Sequence, residues 1–250
     1  MKSKNILIAA VIGVVSLISI TFSAKAQEAA APASPFKVTA DLVSSYVWRG
    51  VLSTARPTPN FQPTFAFVKG GLEIGAWGST DFIGSYKEAD LYAAYTAGPL
   101  KFTVTDYNWL FTKPYFNYKN KETDHIFEGS VAYTGPESFP ISIAANVMLA
   151  GADKKWDKTM AVQDPSKQAY STYLEFGYAY KYFTPFVGIT PSDGYYGDGY
   201  GGYGGFSICN IGLTSTKNLK ISDAFSLPLK ATLGFNPQKE DIYLVFGITF

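Results

Sequence analysis

Cysteine, histidine and charge are scarce in this sequence. Its 250 residues include one cysteine, Cys209, and one histidine, His125. A single cysteine cannot form a disulfide within the chain, so we expect Cys209 to be a small apolar wall residue. Charged residues make up 16% of the chain and the formal net charge is +1. This balance gives no reason to expect nucleic acid as a partner.

Long apolar runs are also missing, except at the N-terminus. Lys2 and Lys4 precede an apolar run over residues 6–20, and the small residues Ala24 and Ala26 stand just before residue 27. This order predicts a secretory signal peptide over residues 1–26, which is removed, and then a flexible leader over residues 27–35. After residue 26 no apolar run approaches the ~18 residues that a transmembrane helix needs.

The C-terminal segment, residues 241–250, alternates between apolar and polar or small residues. Leu244, Phe246 and Phe250 share one face, which is the period of a β-strand. A tilted strand of about 9–11 residues spans a bilayer. A strand that ends the chain on Phe250 resembles the closing strand of Gram-negative outer-membrane β-barrels. The resemblance implies two partners: the outer-membrane lipid and the barrel-assembly machinery, which recognises that strand.

The same alternation recurs along the chain and gives twelve strands, an even number as in single-chain bacterial barrels. The sequence therefore predicts an all-β fold, a transmembrane antiparallel up-and-down β-barrel over residues 36–250. The predicted strands are 36–48, 61–67, 72–79, 88–95, 100–105, 127–133, 141–149, 170–178, 182–189, 206–214, 227–235 and 241–250.

The predicted connections differ in length at the two ends of the barrel. The three longest, 109–123, 151–167 and 191–205, alternate with tight turns, as extracellular loops alternate with periplasmic turns. The connection 215–224 is longer than this rule predicts and is compatible with an extension of its strands. Residues 192–205 are rich in Gly and Tyr, and we interpret them as a flexible surface loop. Their two aspartates lack the spacing of a calcium loop, so we expect no metal.

Charged residues on the polar faces of the strands converge on the barrel interior. Buried charges are costly unless they are paired or wet, so the interior is either a water-filled passage or a salt-bridged plug. Arg49 either pairs with a carboxylate such as Glu73 or Asp90, or meets a solute. The candidates for the lumen lining are Lys37, Asp41, Arg49, Glu73, Asp90, Lys101, Glu128, Glu175 and Lys230.

Catalysis is not expected. His125 has the lipid-facing parity of its predicted strand, near the outer rim, whereas Glu128 and Ser130 face inward. A hydrolase would need the histidine beside a nucleophile or a water-activating carboxylate. We therefore predict that the protein is not an enzyme and that it has no cofactor.

Residues 38–82 carry a resemblance to a known family. Residues 44–50 (SSYVWRG) and 75–79 (GAWGS), with Pro59 and Gln62 between them, are similar to the opening of the TorF family of Gram-negative porin-like proteins. The resemblance implies a bacterial outer-membrane location and passive diffusion of small hydrophilic solutes, without a defined solute. The alternative is a non-conducting barrel with a structural or adhesion role through its extracellular loops. No feature of the sequence identifies an oligomer face.

Overall fold

The computed structural model describes residues 34–157, 162–197, 205–223 and 225–250. Among these residues no helix is long and apolar enough to cross a membrane. The predicted signal peptide and residues 27–33 of the predicted leader lie outside the described residues. The barrel strands are β1 Phe36–Val43, β2 Asn60–Lys69, β3 Leu72–Asp81, β4 Lys87–Ala97, β5 Leu100–Tyr107, β6 Ile126–Thr134, β7 Ile141–Gly151, β8 Thr172–Tyr178, β9 Thr184–Thr190, β10 Ser207–Lys220, β11 Ser226–Asn236 and β12 Asp241–Thr249.

These twelve strands form one closed antiparallel barrel. Each strand pairs with its neighbours in sequence, and β12 closes on β1 through the pairs Asp41–Thr249, Leu42–Ile248 and Val43–Gly247. Backbone hydrogen bonds between Ala40 and Phe250 extend this seam to the end of the chain. The predicted fold, an all-β up-and-down barrel of twelve strands, is confirmed.

The two faces of the barrel wall differ in polarity, as the alternation predicts. Outward side chains such as Val104 and Leu244 are apolar and exposed around the circumference. Inward side chains such as Gln62, Thr64 and Thr105 are polar and buried. Because successive side chains of a strand point to opposite faces, one sequence pattern sets both surfaces.

The two ends of the barrel also differ. Residues 107–126, 151–172 and 190–207 connect strands at one end, which we call the loop end. Tight turns such as 69–72 and 97–100 connect strands at the other end, which we call the turn end. At the turn end β10 and β11 pair as far as Lys220 and Ser226, so the connection at 215–224 does extend its strands.

The first predicted strand is too long by five residues. β1 ends at Val43, and the chain then turns into the barrel as loop 1, residues 44–59. Within loop 1, Val47–Trp48 pairs with Val51–Leu52 around Arg49 and Gly50, whose φ angles are 51° and 80°. This left-handed turn breaks the extended conformation that the alternation predicted. A second short hairpin, Lys154–Asp157 with Val162–Gln168, stands at the loop end.

Candidate functional site

The interior near the turn end, the turn half, holds a partly solvated charge cluster. Glu73 accepts from Lys101 Nζ at 3.0 Å, from Tyr92 Oη at 2.9 Å and from Lys37 Nζ at 3.5 Å. The side chains of Lys37, Glu73 and Lys101 keep 13%, 16% and 20% of their exposure. Three predicted lumen residues are thus brought together, in a region that retains contact with solvent.

Asp41 and Lys230 face the interior between the two halves. Thr249 Oγ1 donates to Asp41 Oδ1 at 2.5 Å across the closing seam. Lys230 is exposed, and Asp41 and Glu175 are the carboxylates that act on it electrostatically. The two predicted residues therefore belong to the same inner surface as the turn-half cluster, without a direct ion pair between them.

Loop 1 fills the interior near the loop end, the loop half. The Tyr46 ring lies 5.6 Å from that of Trp77 on β3, and Trp48 lies 5.5 Å from Tyr107 on β5. On the opposite wall, Asn236 Nδ2 of β11 donates to the carbonyl of Gly50 at 2.9 Å. Loop 1 therefore crosses the barrel from one wall to the other.

Gly50 is required where loop 1 meets the far wall. A Cβ at this position would stand 2.5 Å from the carbonyl oxygen of Cys209, and the φ angle of 80° is strained for any other residue. Because the first predicted strand runs from 36 to 48, its alternation predicts that Tyr46 and Trp48 share the outward apolar face of Val38 and Leu42. That placement is wrong, because both side chains belong to loop 1 and are buried inside the barrel.

Arg49 forms a buried ion pair at the centre of the loop half. Its Nη1 and Nη2 donate to the two carboxylate oxygens of Glu128 at 2.6 Å and 2.8 Å, and Nη1 also donates to Tyr196 Oη. The side chains of Arg49 and Glu128 are 2% and 0% exposed. The structure thus joins two predicted lumen residues, but the partner of Arg49 is Glu128 and neither Glu73 nor Asp90.

Aromatic rings surround this ion pair. The guanidinium carbon lies 4.5 Å from the Trp48 ring, 5.1 Å from Tyr173 and 5.6 Å from Tyr196. Burial raises the pKa of the Tyr196 phenol well above its ordinary value, so its hydroxyl is neutral when it accepts from Arg49. The interpretation of residues 192–205 as a flexible surface loop is wrong for Tyr196, which is buried in the barrel. Residues 198–204 lie outside the described residues.

Glu175 and Asp90 occupy separate positions on the wall. Tyr173 Oη donates to Glu175 Oε2 at 2.5 Å and accepts from Asn210 Nδ2 at 2.9 Å. Asp90 Oδ1 accepts the backbone N–H of Asn108 at 3.1 Å. Both carboxylates are buried in polar surroundings, and neither takes part in the Arg49 ion pair.

His125 lies inside the protein and not on the outer face of the barrel, where its predicted parity placed it. Its side chain is 1% exposed, with Nδ1 2.7 Å from Asp106 Oδ1 and Nε2 in contact with the Tyr115 carbonyl. The parity argument fails because His125 precedes β6, which begins at Ile126. The ring also packs 4.3 Å from that of Tyr118, so it holds the loop after β5 against the barrel wall.

The described residues provide no cluster of His, Cys, Asp or Glu that could hold a metal ion. Asp193 Oδ1 accepts a hydrogen bond from the backbone N–H of Gly205 at 2.7 Å, and this contact joins the two ends of the loop between β9 and β10. Cys209 is a buried free thiol on the inner wall and belongs to the apolar cluster of the loop half.

Sequence reasoning missed the residues that close the loop half. These are Tyr46, Trp48, Tyr107 and Tyr196, which pack in one buried cluster with Tyr173, whose inward face the alternation did predict. Arg49 followed by Gly50 was a possible turn signal, because glycine favours positive φ. The alternation of the first predicted strand put Tyr46 and Trp48 on the wrong face, and Tyr196 lies in a segment without strand periodicity.

Comparison with known proteins adds little. No family model and no curated protein matches this sequence. The resemblance to the TorF family is therefore not confirmed by a family match. Among solved structures the chain is similar to Salmonella typhi OmpF in complex with daunomycin, with 10% identity and a TM-score of 0.38. The similarity covers 86% of this chain and 97% of that one. It is too low to transfer a function.

Proposed function

We propose that the protein is a porin-like channel of the bacterial outer membrane through which small hydrophilic solutes diffuse passively. Loop 1 forms its constriction. The observation that carries this proposal is the polarity of the inner wall in both halves, including the wall behind loop 1. Transport of this kind needs no cofactor and no covalent step.

The wall behind loop 1 suits water better than it suits a permanent core. Protein cores are packed mainly with aliphatic and aromatic side chains. Here many inward positions of the loop half carry hydroxyl and amide groups, next to the rings of Trp77, Tyr107 and Tyr173. Hydration of these hydroxyl and amide groups would cost little if loop 1 moved out of the barrel. The buried amide and hydroxyl residues on these strands are Asn60, Gln62, Ser79, Thr105, Asn146, Thr190, Ser207, Asn210 and Asn236.

The outer surface supports the proposed location. Exposed apolar side chains such as Phe65, Val104 and Leu244 follow the outward face of the strands, as a lipid-facing band requires. We assign the loop end to the outside of the cell and the turn end to the periplasm. The barrel-assembly machinery would then recognise the C-terminal strand that ends at Phe250.

A non-conducting barrel with a structural or adhesion role is the second candidate. The almost complete burial of Arg49 and Glu128 favours it, because a desolvated ion pair is typical of a packed interior. In that case loop 1 would be a fixed part of the core, and function would lie in the other loops at the loop end.

Liposome swelling tests the proposal directly. The mature protein is refolded, its folding is checked by a heat-modifiable gel shift, and it is inserted into vesicles. We expect the vesicles to swell in isosmotic small sugars or amino acids, and more slowly as the solute grows. Vesicles with unfolded protein are the control. Folded barrels that give no swelling with any small solute would contradict the proposal.

A further inference from the structure

The wall of the loop half contains a site for a guanidinium group. We propose that Glu128, Tyr107 and Tyr173 bind small guanidinium-bearing cations, and that Arg49 of loop 1 occupies this site as an internal ligand. This inference rests on the proposed function, because it names a solute class that the channel would take.

The carboxylate of the site is held by the barrel wall. Tyr107 Oη and Ser130 Oγ donate to Glu128 Oε1 at 3.0 Å and 3.1 Å. All three residues lie on β5 and β6, so this arrangement does not depend on loop 1. A carboxylate fixed in this way presents both oxygens to a planar donor, and a guanidinium matches it with two parallel N–H groups.

An aromatic face completes the site from the wall. The Tyr173 ring lies 5.1 Å from the guanidinium carbon, within the range of a cation–π contact. Its hydroxyl is fixed by Glu175 at 2.5 Å and Asn210 at 2.9 Å. The wall therefore offers a bidentate acceptor and an aromatic face, which together select a flat cation over a compact ammonium.

Arg49 fills this site with the two terminal nitrogens of its guanidinium, but its third nitrogen and its backbone fit less well. Its two terminal nitrogens are bonded, whereas Nε is buried without a hydrogen-bond partner. Its φ of 51° is uncommon outside glycine and carries strain. A free guanidinium would keep the contacts of the two terminal nitrogens without the strained backbone of loop 1, so Arg49 is an internal ligand that can be displaced.

The surroundings of the site attract cations. Two further carboxylates, Asp81 and Asp106, lie at the loop ends of β3 and β5, and among the described residues they form no ion pair with Lys or Arg. An excess of one charge at the entrance raises the local concentration of the opposite charge.

Chemical rescue of Arg49→Ala tests the site. We expect the refolded variant to lose thermal stability because Glu128 is left buried and unpaired, and millimolar ethylguanidinium to restore much of the lost melting temperature. Ethylammonium at the same concentration should restore little. Arg56→Ala is the matched control, because Arg56 is exposed, and it should respond to neither cation. The double variant Arg49→Ala/Glu128→Gln should not be rescued.

If Arg49→Ala does not refold alone, the yield of heat-modifiable barrel refolded with each cation is the readout. Recovery with ethylguanidinium alone supports the site, whereas equal recovery with both cations, or none, overturns it. These readouts need no conductance. Vesicle swelling without rescue would therefore refute the guanidinium site but support the proposed channel. Rescue without vesicle swelling would support the guanidinium site but contradict the proposed channel.

Discussion

The two halves of the barrel interior hold their charges in different ways. In the turn half, Lys37, Glu73 and Lys101 form a cluster whose side chains keep between 13% and 20% of their exposure. In the loop half, Arg49 and Glu128 form a bidentate pair that is almost completely excluded from solvent. The wall carries polar side chains in both halves, but in the loop half it also carries aromatic rings such as Tyr107 and Tyr173, against which loop 1 packs.

The comparison of the two halves separates the contribution of the strands, a polar interior, from the contribution of loop 1, the burial of charge. The strands alone build an interior that tolerates water, as the turn half shows. Loop 1 then converts the loop half into a packed region, because it brings Tyr46, Trp48 and one guanidinium against apolar side chains of the strands such as Tyr107 and Tyr173. The burial of charge is therefore a property of the loop–wall contact, so changes in the two halves should have unequal effects.

We expect the largest effect from Glu128→Gln. The substitution leaves the Arg49 guanidinium buried without a counter-charge, and breaking a buried ion pair in this way costs about 3–5 kcal/mol. The free energy of unfolding in urea, measured on protein refolded in detergent, should fall by that amount. Glu73→Gln in the turn half is the matched control. Equal losses for the two variants would show that the halves do not differ.

A smaller effect is expected from Gly188→Ala. A Cβ at Gly188 would stand 2.2 Å from Tyr173 Oη, and the Tyr173 ring is confined by its own hydrogen bonds in the packed half. Overpacking of this kind costs about 1–3 kcal/mol. Gly129→Ala is the control, because its Cβ would meet only the mobile end of Leu149. Thermal unfolding midpoints compare the two variants, and an unchanged Gly188→Ala midpoint would mean that Tyr173 is not held.

The smallest loss of stability, about 1 kcal/mol or less, is expected from Glu73→Gln, because ion pairs in contact with solvent contribute little. Its effect on conduction should be larger. Removing one carboxylate beside Lys37 and Lys101 leaves an excess of positive charge in the turn half, which favours anions. The reversal potential in a salt gradient should shift toward anions. An unchanged potential would indicate that this cluster does not face the conduction path.

The architecture of the barrel was predictable from its sequence because every strand repeats the same alternation of inward polar and outward apolar side chains. Alternation in stretches such as 100–105 and 241–250 gave the number of strands and their inward faces. The extended pairing of β10 with β11 was indicated by the connection 215–224, which is longer than the tight turns expected at that end of the barrel. Each of these features is local, so a single strand and its neighbour are enough to specify it.

The closure of the loop half was not predictable, because it depends on contacts between residues that are distant in the sequence. Tyr46 and Trp48 follow the alternation of β1 but leave the sheet at a left-handed turn, which the period alone does not reveal. The pairing of Arg49 with Glu128 joins residues 79 positions apart in the sequence. Several carboxylates had the right parity, and only the path of loop 1 across the barrel selects one of them.

The single-channel current in a planar bilayer tests the central claim, that loop 1 closes one half of a barrel whose wall is built for water. The wild-type protein is compared with a variant that lacks residues 45–52, after both show the heat-modifiable gel shift. We predict discrete current steps for the wild type and larger steps for the variant. Folded protein that gives no steps in either form would contradict the account.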